Sequence, residues 1–246
     1  MIETRFKATE LIHKASRREG YESFAVVGKR GAGKTTYCVK VMTQVYVLRG
    51  YGEDDAYRLA LKHLIFDQNE IITFLKNHSG RQAPVLTWDD IRAHASGYSA
   101  IMAPRQTQIL LGLFDTIRDS TAGFLSTSPS VKGVLSFIKL AEGWLVKVTN
   151  GKQYNWRDGT GYSKYELPSG TTKIAKRFID RFHCMLPDDV FQAVRQKRMY
   201  YKDIVIKNLE DRIKESNDVM AKRYAREKAL VEHDGELEGS EVSVGV

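Results

Sequence analysis

One short segment constrains the fold of this chain more than any other feature. Residues 24–27 form a brief apolar run, typical of a buried parallel strand, and the run stops at Gly28. Three glycines follow within six positions, and from Lys34 to Arg49 there is neither Gly nor Pro. The order strand, glycine loop, helix predicts backbone N–H groups that turn inward at the positive end of a helix. We therefore expect an anion-binding loop at residues 28–35.

The residues in this loop, GKRGAGKT, have the spacing of a P-loop, the phosphate-binding loop of nucleoside triphosphatases. Lys34 is expected to reach the β- and γ-phosphates of ATP and to act in catalysis, and the Thr35 hydroxyl to ligate Mg²⁺. The candidate nucleotide-binding residues are Gly28, Lys29, Arg30, Gly31, Ala32, Gly33, Lys34, Thr35 and Thr36.

A second element must position metal and water if ATP is to be hydrolysed. Residues 84–88, Pro-Val-Leu-Thr-Trp, predict a buried strand that ends on Asp89 and Asp90. We expect this strand to lie beside the P-loop strand, with Asp89 holding magnesium through water and Asp90 polarising the attacking water. An aspartate pair after a strand is also an ordinary helix cap, and that alternative stays open.

A third element is the polar end of the strand predicted at residues 123–128. A hydroxyl at such a strand tip can hydrogen-bond the γ-phosphate or the attacking water. Thr127 is our catalytic candidate, with Ser128 next and Ser126 less favoured. Because Pro129 follows, a turn-forming role for these side chains is the alternative.

The remaining pattern alternates strands with helices. Residues 1–22 predict a lead-in helix, and 53–77 a mostly helical stretch with a possible extended piece at 63–66. A loop at 91–104, helices at 106–118 and around 131–140, and a strand at 144–149 complete the pattern. The fold class is therefore α/β: a P-loop core over 23–150, built as a parallel sheet flanked by helices.

Beyond residue 150 the alternation of strands and helices ends. Residues 151–170 predict a β-hairpin with its turn at Asp-Gly-Thr-Gly, 158–161. Residues 171–230 predict a helical lid or interaction region broken near Pro187. Residues 231–246, rich in Glu and Gly without an aromatic residue, predict a disordered acidic tail.

Composition limits the partners. No apolar run approaches the ~20 residues of a membrane span, and charged residues interrupt the N-terminus, so we expect a cytoplasmic protein without a membrane partner. Cys38 and Cys184 lack metal-ligand spacing and read as core residues. The net charge of +8 favours an anionic partner such as DNA.

Two basic clusters are candidate DNA contacts of low sequence preference, although a solvated helix face explains them equally well. The first cluster contains Lys173, Lys176, Arg177 and Arg181. The second contains Arg195, Lys197, Arg198 and Lys202, with Met199, Tyr200 and Tyr201 among them.

The order of P-loop, acid pair and polar strand tip resembles the AAA+ branch of P-loop ATPases. The acid pair in TWDDI is similar to that of DnaA-type initiators and helicase loaders. Over roughly residues 20–215 the stretches GKRGAGKTT, PVLTWDD and FLSTSPS look like the DnaA-like ATPases encoded by archaeal viruses and plasmids. The resemblance implies a role in replication or its regulation in a host cytoplasm. It also implies ATP-dependent homo-oligomers and an arginine finger.

The arginine that such an assembly needs stands in no recognisable motif here. Arg118, Arg177 and Arg181 are candidates for a finger or second sensor, with a surface salt bridge as the alternative for each.

Other functions stay open at this stage. Lys29, five residues before Lys34, matches the signature lysine of ParA/MinD-type partition ATPases, which an ATP-bound dimer would test. A DNA-packaging motor, a small-molecule kinase and a nucleotide-gated scaffold are further alternatives. Hydrolysis without an acceptor would exclude the kinase, and a lack of hydrolysis would favour the scaffold.

Overall fold

The computed structural model describes residues 4–91, 112, 116–130, 143–166 and 172–239. Its elements are α1 (Lys7–Ser16), β1 (Glu22–Val27), α2 (Lys34–Leu48), α3 (Glu53–Lys62), β2 (Leu64–Ile65), α4 (Gln68–Asn77), β3 (Leu86–Trp88), β4 (Gly123–Ser128), β5 (Trp144–Asn150), β6 (Trp156–Glu166), β7 (Thr172–His183) and α5 (Asp188–Gly239). The chain divides into two compact units, Met1–Lys197 and Arg198–Val246. The sheet belongs to the first unit, and the described part of the second is the continuation of α5.

The fold is α/β, with one mixed seven-stranded sheet flanked by helices. The strand order is β2-β3-β4-β1-β5-β6-β7. The first five strands in this order are parallel to one another, whereas β6 pairs antiparallel with both β5 and β7. The parallel arrangement expected over residues 23–150 is confirmed, and the hairpin strands beyond it extend the same sheet with antiparallel pairing, which makes the whole sheet mixed. The acid strand β3, however, is not a neighbour of β1, because β4 pairs with both and lies between them.

The β-hairpin predicted at residues 151–170 is larger in the structure, and the predicted turn residues lie within a strand. Residues 158–161 are the middle of β6 and not a turn, and β6 pairs along its whole length with β7. The chain reverses between β5 and β6 at residues 151–155 instead. The glycines at 159 and 161 are explained by packing: an added Cβ at Gly159 would lie 2.9 Å from the Tyr37 ring, and one at Gly161 would overlap the Phe178 ring.

Two helical expectations also need correction. Residues 172–183, predicted as helix, form strand β7. A bulge at Arg177, between the pairs Gly161–Phe178 and Tyr162–Lys176, interrupts the alternation by which a strand is recognised. Helix α5 begins only at Asp188 and continues to Gly239, so the first part of the predicted disordered tail is helical.

Helix α2 lies in the core on almost every side. Its buried residues are Thr35, Tyr37, Cys38, Val39, Val41, Met42, Thr43, Val45 and Tyr46. Many of them are β-branched or aromatic and have only modest helix propensity, so burial and not propensity stabilises this helix. A core helix of this kind holds the loop at its N-terminus in a fixed position against the sheet.

Some predicted elements fall outside the described residues. They are nearly all of the loop at 91–104, most of the helix at 106–118, and the helix around 131–140; residues 116–120 are helical. Among the helices that the structure describes, none is long and apolar enough to span a membrane.

Candidate nucleotide site at the carboxyl edge of the sheet

The loop between β1 and α2, residues 28–33, together with Lys34 at the start of α2, is called the glycine loop below. Gly31 and Gly33 have positive φ angles of 77° and 91°, which side chains with a Cβ rarely adopt. Gly33 is the N-cap of α2, and no side chain caps the helix there. The first N–H groups of α2 therefore point toward the loop at the positive end of the helix, which is the arrangement that binds anions.

The Lys34 side chain closes over this loop. Its Nζ donates hydrogen bonds to the carbonyl oxygens of Gly28 at 3.0 Å and Lys29 at 3.1 Å. The Lys29 and Arg30 side chains are exposed, whereas Ala32 is buried and Thr36 is half-buried. The ammonium group that the sequence assigned to phosphate is thus held at the loop.

Three side chains from different elements meet at the start of α2. The Thr35 Oγ1 lies 2.9 Å from both carboxylate oxygens of Asp89, which follows β3. The Thr127 hydroxyl, at the tip of β4, donates to Oδ1 of Asp89 at 2.6 Å. All three residues are buried. The structure therefore brings together the predicted magnesium residues and the predicted strand-tip residue.

Asp90 differs from Asp89 in exposure and backbone. Its N–H donates to Oγ1 of Thr127 at 2.8 Å, while its side chain is exposed. Its φ of 52° is in the left-handed region, which Asp and Asn enter more readily than most residues with a Cβ. The Thr127 hydroxyl consequently fixes both acids, since it donates to one residue and accepts from the next.

The oxygen donors suit a hard divalent cation. Thr35 and Asp89 supply a hydroxyl and a carboxylate in contact, the ligand types that Mg²⁺ accepts together with phosphate oxygens and water. In the part of the chain that the structure describes, no group of three His, Cys, Asp or Glu side chains could hold a metal. A cation at Thr35 and Asp89 would therefore depend on oxygens from a bound ligand and solvent.

The Ser128 hydroxyl has a local partner instead. The Ser128 Oγ donates to the Ser130 carbonyl at 2.7 Å, which is the turn-forming role considered above, and Ser126 is buried. Among the three candidates, it is Thr127 that contacts the acid pair.

A buried hydrogen-bond network that was not predicted from the sequence holds the first turn of α2, next to the glycine loop. Asp180 of β7 accepts hydrogen bonds from the Lys7 N–H at 2.7 Å, the Ala8 N–H at 3.3 Å and the Tyr37 hydroxyl at 2.8 Å. It thereby caps α1 and fixes the first turn of α2. Burial raises the pKa of Asp180, and burial followed by the Asp180 charge raises the pKa of Tyr37. The only sequence signal was an acid between the apolar residues Phe178 and Phe182.

Both cysteines are free, as expected. Cys38 is buried in α2, and burial raises the pKa of its thiol, with a further increase from the Asp89 carboxylate. Cys184 is half-buried and packs on the glycine loop, because an added Cβ at Gly33 would lie 2.5 Å from its Sγ.

The three candidate arginines contact groups outside the glycine loop. Arg118 precedes β4, at the opposite end from Thr127, and its Nε lies 3.8 Å from the Asp119 carboxylate. The Arg177 Nε donates to the Ser163 hydroxyl at 2.8 Å, and the Arg181 Nε lies 3.6 Å from the Asp158 carboxylate. The latter two stand on β7.

The basic clusters are also arranged differently from the expectation. The first lies on strand β7 and its four side chains are exposed. In the second, Lys197 is anchored in the fold: its Nζ donates to the carbonyl oxygens of Leu61 at 3.0 Å and Leu64 at 2.9 Å. Burial lowers the pKa of Lys197, and Glu70 opposes that shift. Lys197 is therefore not a free DNA contact.

Comparison with known proteins gives one relative of note. The chain is 28% identical over 222 residues to the uncharacterized protein B-251 of Sulfolobus spindle-shape virus 1, and the match covers 85% of this chain and 86% of that protein. No protein-family model matches the chain.

Proposed function

We propose that this chain is a magnesium-dependent P-loop ATPase. The observation that carries the proposal is the contact of Thr35, which directly follows the glycine loop, with Asp89, which follows β3. A hydroxyl directly after a phosphate-binding loop and a buried acid at the tip of another strand are the two protein groups that hold the metal of ATP in this class. An ordinary helix-capping acid would have no reason to contact that hydroxyl.

The strand order supports a narrower assignment. The glycine loop follows β1, Thr127 ends β4, and the acid pair follows β3, in the spatial order β3-β4-β1. Because parallel strands end at the same edge, all three groups face one crevice, where ligands of open α/β sheets bind. Together with the resemblance of the motifs, this order favours an ATPase of the AAA+ type.

The roles within the site follow from exposure and bonding. Bound Mg²⁺ would be held by Thr35 and Asp89 and would neutralise charge on the phosphates. Lys34 supplies a positive charge at the loop, and the exposed Asp90 carboxylate is free to orient and deprotonate a water molecule. Thr127 is a positioning residue, because its hydroxyl holds Asp89 and the Asp90 backbone.

The proposal is tested by hydrolysis without an acceptor. Purified protein with ATP and magnesium should release one phosphate per ADP formed, and EDTA should stop the release. ADP formation that requires an added small-molecule acceptor would indicate a kinase instead. Nucleotide binding without release, with or without DNA, would favour the scaffold alternative.

We also propose DNA as the macromolecular partner, in replication or its regulation in a virus. The observation that favours DNA is the exposed basic strip of β7, Lys173, Lys176, Arg177 and Arg181, in a chain of net charge +8. The similarity to a viral protein supports the viral setting. Assembly on ATP would let an arginine of one copy reach the glycine loop of another. Sizing with and without ATP and DNA tests that assembly.

A further inference from the structure

Arg157, which belongs to none of the sequence motifs described above, lies against the glycine loop. It is the second residue of β6, and its Cγ is 3.7 Å from the position of an added Cβ at Gly33. In the sheet it pairs with Asn150 on β5 and Phe182 on β7. The antiparallel hairpin thus brings the Arg157 side chain to the N-cap of α2.

The guanidinium of Arg157 lacks an anionic partner among the described residues. Its Nη1 donates to the carbonyl of Trp156 at 2.8 Å, but its Nε is buried without a hydrogen-bond acceptor. Neither of its cross-strand neighbours is acidic, and the nearby Asp158 faces Arg181. A buried, unpaired N–H of a charged group costs free energy, so some acceptor is expected to complete this position.

The positive charges around Arg157 indicate that the missing acceptor is an anion. The positive end of α2 and the Lys34 ammonium already converge on the glycine loop. A third positive group there is unfavourable unless a negative charge lies among them. We propose that Arg157 is a phosphate ligand of the nucleotide site, an inference that rests on the proposed ATP-binding function.

The strand order indicates which phosphates Arg157 contacts. β3 with its acid pair lies two strands from β1 on one side, and β6 with Arg157 lies two strands away on the other, roughly 10 Å in each direction. The γ-phosphate must face the acids that hold metal and water. Arg157 therefore contacts the α- and β-phosphates, which ATP and ADP share, and does not act as a finger on the transferred group.

The test compares nucleotide affinities of three variants by isothermal titration. Arg157→Met keeps the aliphatic packing and removes the charge, and Arg157→Lys keeps the charge. Arg49→Met removes an arginine from the far end of α2 as the matched control. Arg157→Met should weaken MgATP and MgADP alike, by about 10- to 100-fold, the loss expected for one charge-assisted hydrogen bond. Arg157→Lys should lose less, and Arg49→Met should bind both nucleotides like the wild type.

A structural role for Arg157 predicts something else. If Arg157 only supported the fold, Arg157→Met would lower the melting temperature of the ligand-free protein. We expect that temperature to stay the same or rise, because an unpaired cation is removed from the positive end of a helix.

The outcomes separate the two proposals. Wild-type protein that binds neither nucleotide overturns the proposed function, and the inference with it. Wild-type protein that binds both, with Arg157→Met binding both equally well, overturns only the role of Arg157. A loss confined to ATP would place Arg157 at the γ-phosphate and overturn the assignment to the shared phosphates.

Discussion

The hydroxyl of Thr127 donates a 2.6 Å hydrogen bond to the Asp89 carboxylate, and both residues are buried. The same oxygen accepts the N–H of Asp90 at 2.8 Å. One side chain at the tip of β4 therefore determines where both acids lie.

Removing this hydroxyl should slow hydrolysis as well as destabilise the fold. Thr127→Val is expected to reduce the rate by about 10- to 100-fold and stability by about 1–3 kcal/mol, because a partly buried N–H and a buried carboxylate each lose one hydrogen bond. Thr127→Ser should recover most of the rate. Thr121→Val is the matched control: Thr121 is buried just before the other end of β4, where its hydroxyl donates to the Gly123 carbonyl at 3.0 Å. Equal rates for Thr127→Val and Thr121→Val would contradict the positioning role.

Substitutions of the two acids should affect ATP binding and the rate of hydrolysis differently. Asp90→Asn is expected to retain ATP and magnesium but slow hydrolysis by at least ~100-fold, the scale of losing a positioned general base. Asn is the suitable substitution because it tolerates the left-handed backbone at this position. Asp89→Asn should in addition weaken magnesium-dependent ATP binding. A wild-type rate for Asp90→Asn in a phosphate-release assay would assign the water to another residue.

The parts of the site that serve phosphate chemistry were predictable from the sequence. A backbone nest requires glycine, and a metal of this kind requires oxygen ligands, so Gly33, Thr35 and Asp89 could be identified and the structure brings them together. The roles of the residues around them could not be predicted from the sequence. Gly159 and Gly161 read as turn residues, yet they serve the packing of Tyr37 and Phe178, and nothing local distinguishes the two uses. The bulge at Arg177 hid strand β7 and with it Asp180, and the turn predicted at 158–161 hid the position of Arg157 in β6.

The basic strip of β7 should account for part of the salt dependence of DNA binding. Replacing Lys173, Lys176 and Arg177 together by Ala is expected to flatten the log–log salt slope by about two to three units, if each contacts a phosphate on duplex. A second variant replaces Arg195 and Lys202 by Ala, leaves the anchored Lys197 in place, and measures the share of the second basic cluster separately. Fluorescence anisotropy with duplex and single strands at several salt concentrations measures both variants. No binding by the wild type at ~50 mM salt would refute the DNA proposal.

A buried histidine should make stability depend on pH. The Nδ1 of His63 is hydrogen-bonded to the Tyr46 hydroxyl, and burial, followed by the effect of His78, lowers the pKa of His63 to about 4. The unfolded chain takes up this proton near pH 6.5, so the contribution is complete above pH 6.5 and is lost progressively down to about pH 4. The loss is expected to reach roughly 3 kcal/mol.

The variant His63→Gln isolates this contribution from that of other titrating groups. Urea unfolding of wild type and variant between pH 7.5 and 4.5 should show the two stabilities converging as the pH falls. A constant difference over that range would mean that folding does not change the pKa of His63.

The most direct test of the central claim is the affinity of the glycine loop for MgATP. Isothermal titration should show tight binding by the wild type and by Lys76→Ala, which removes an exposed lysine from α4. Lys34→Ala should lose tight binding while its melting curve shows an intact fold, because the ammonium group held at the glycine loop is gone. Equal ATP affinity for Lys34→Ala and the wild type would contradict the assignment of this loop to phosphate binding.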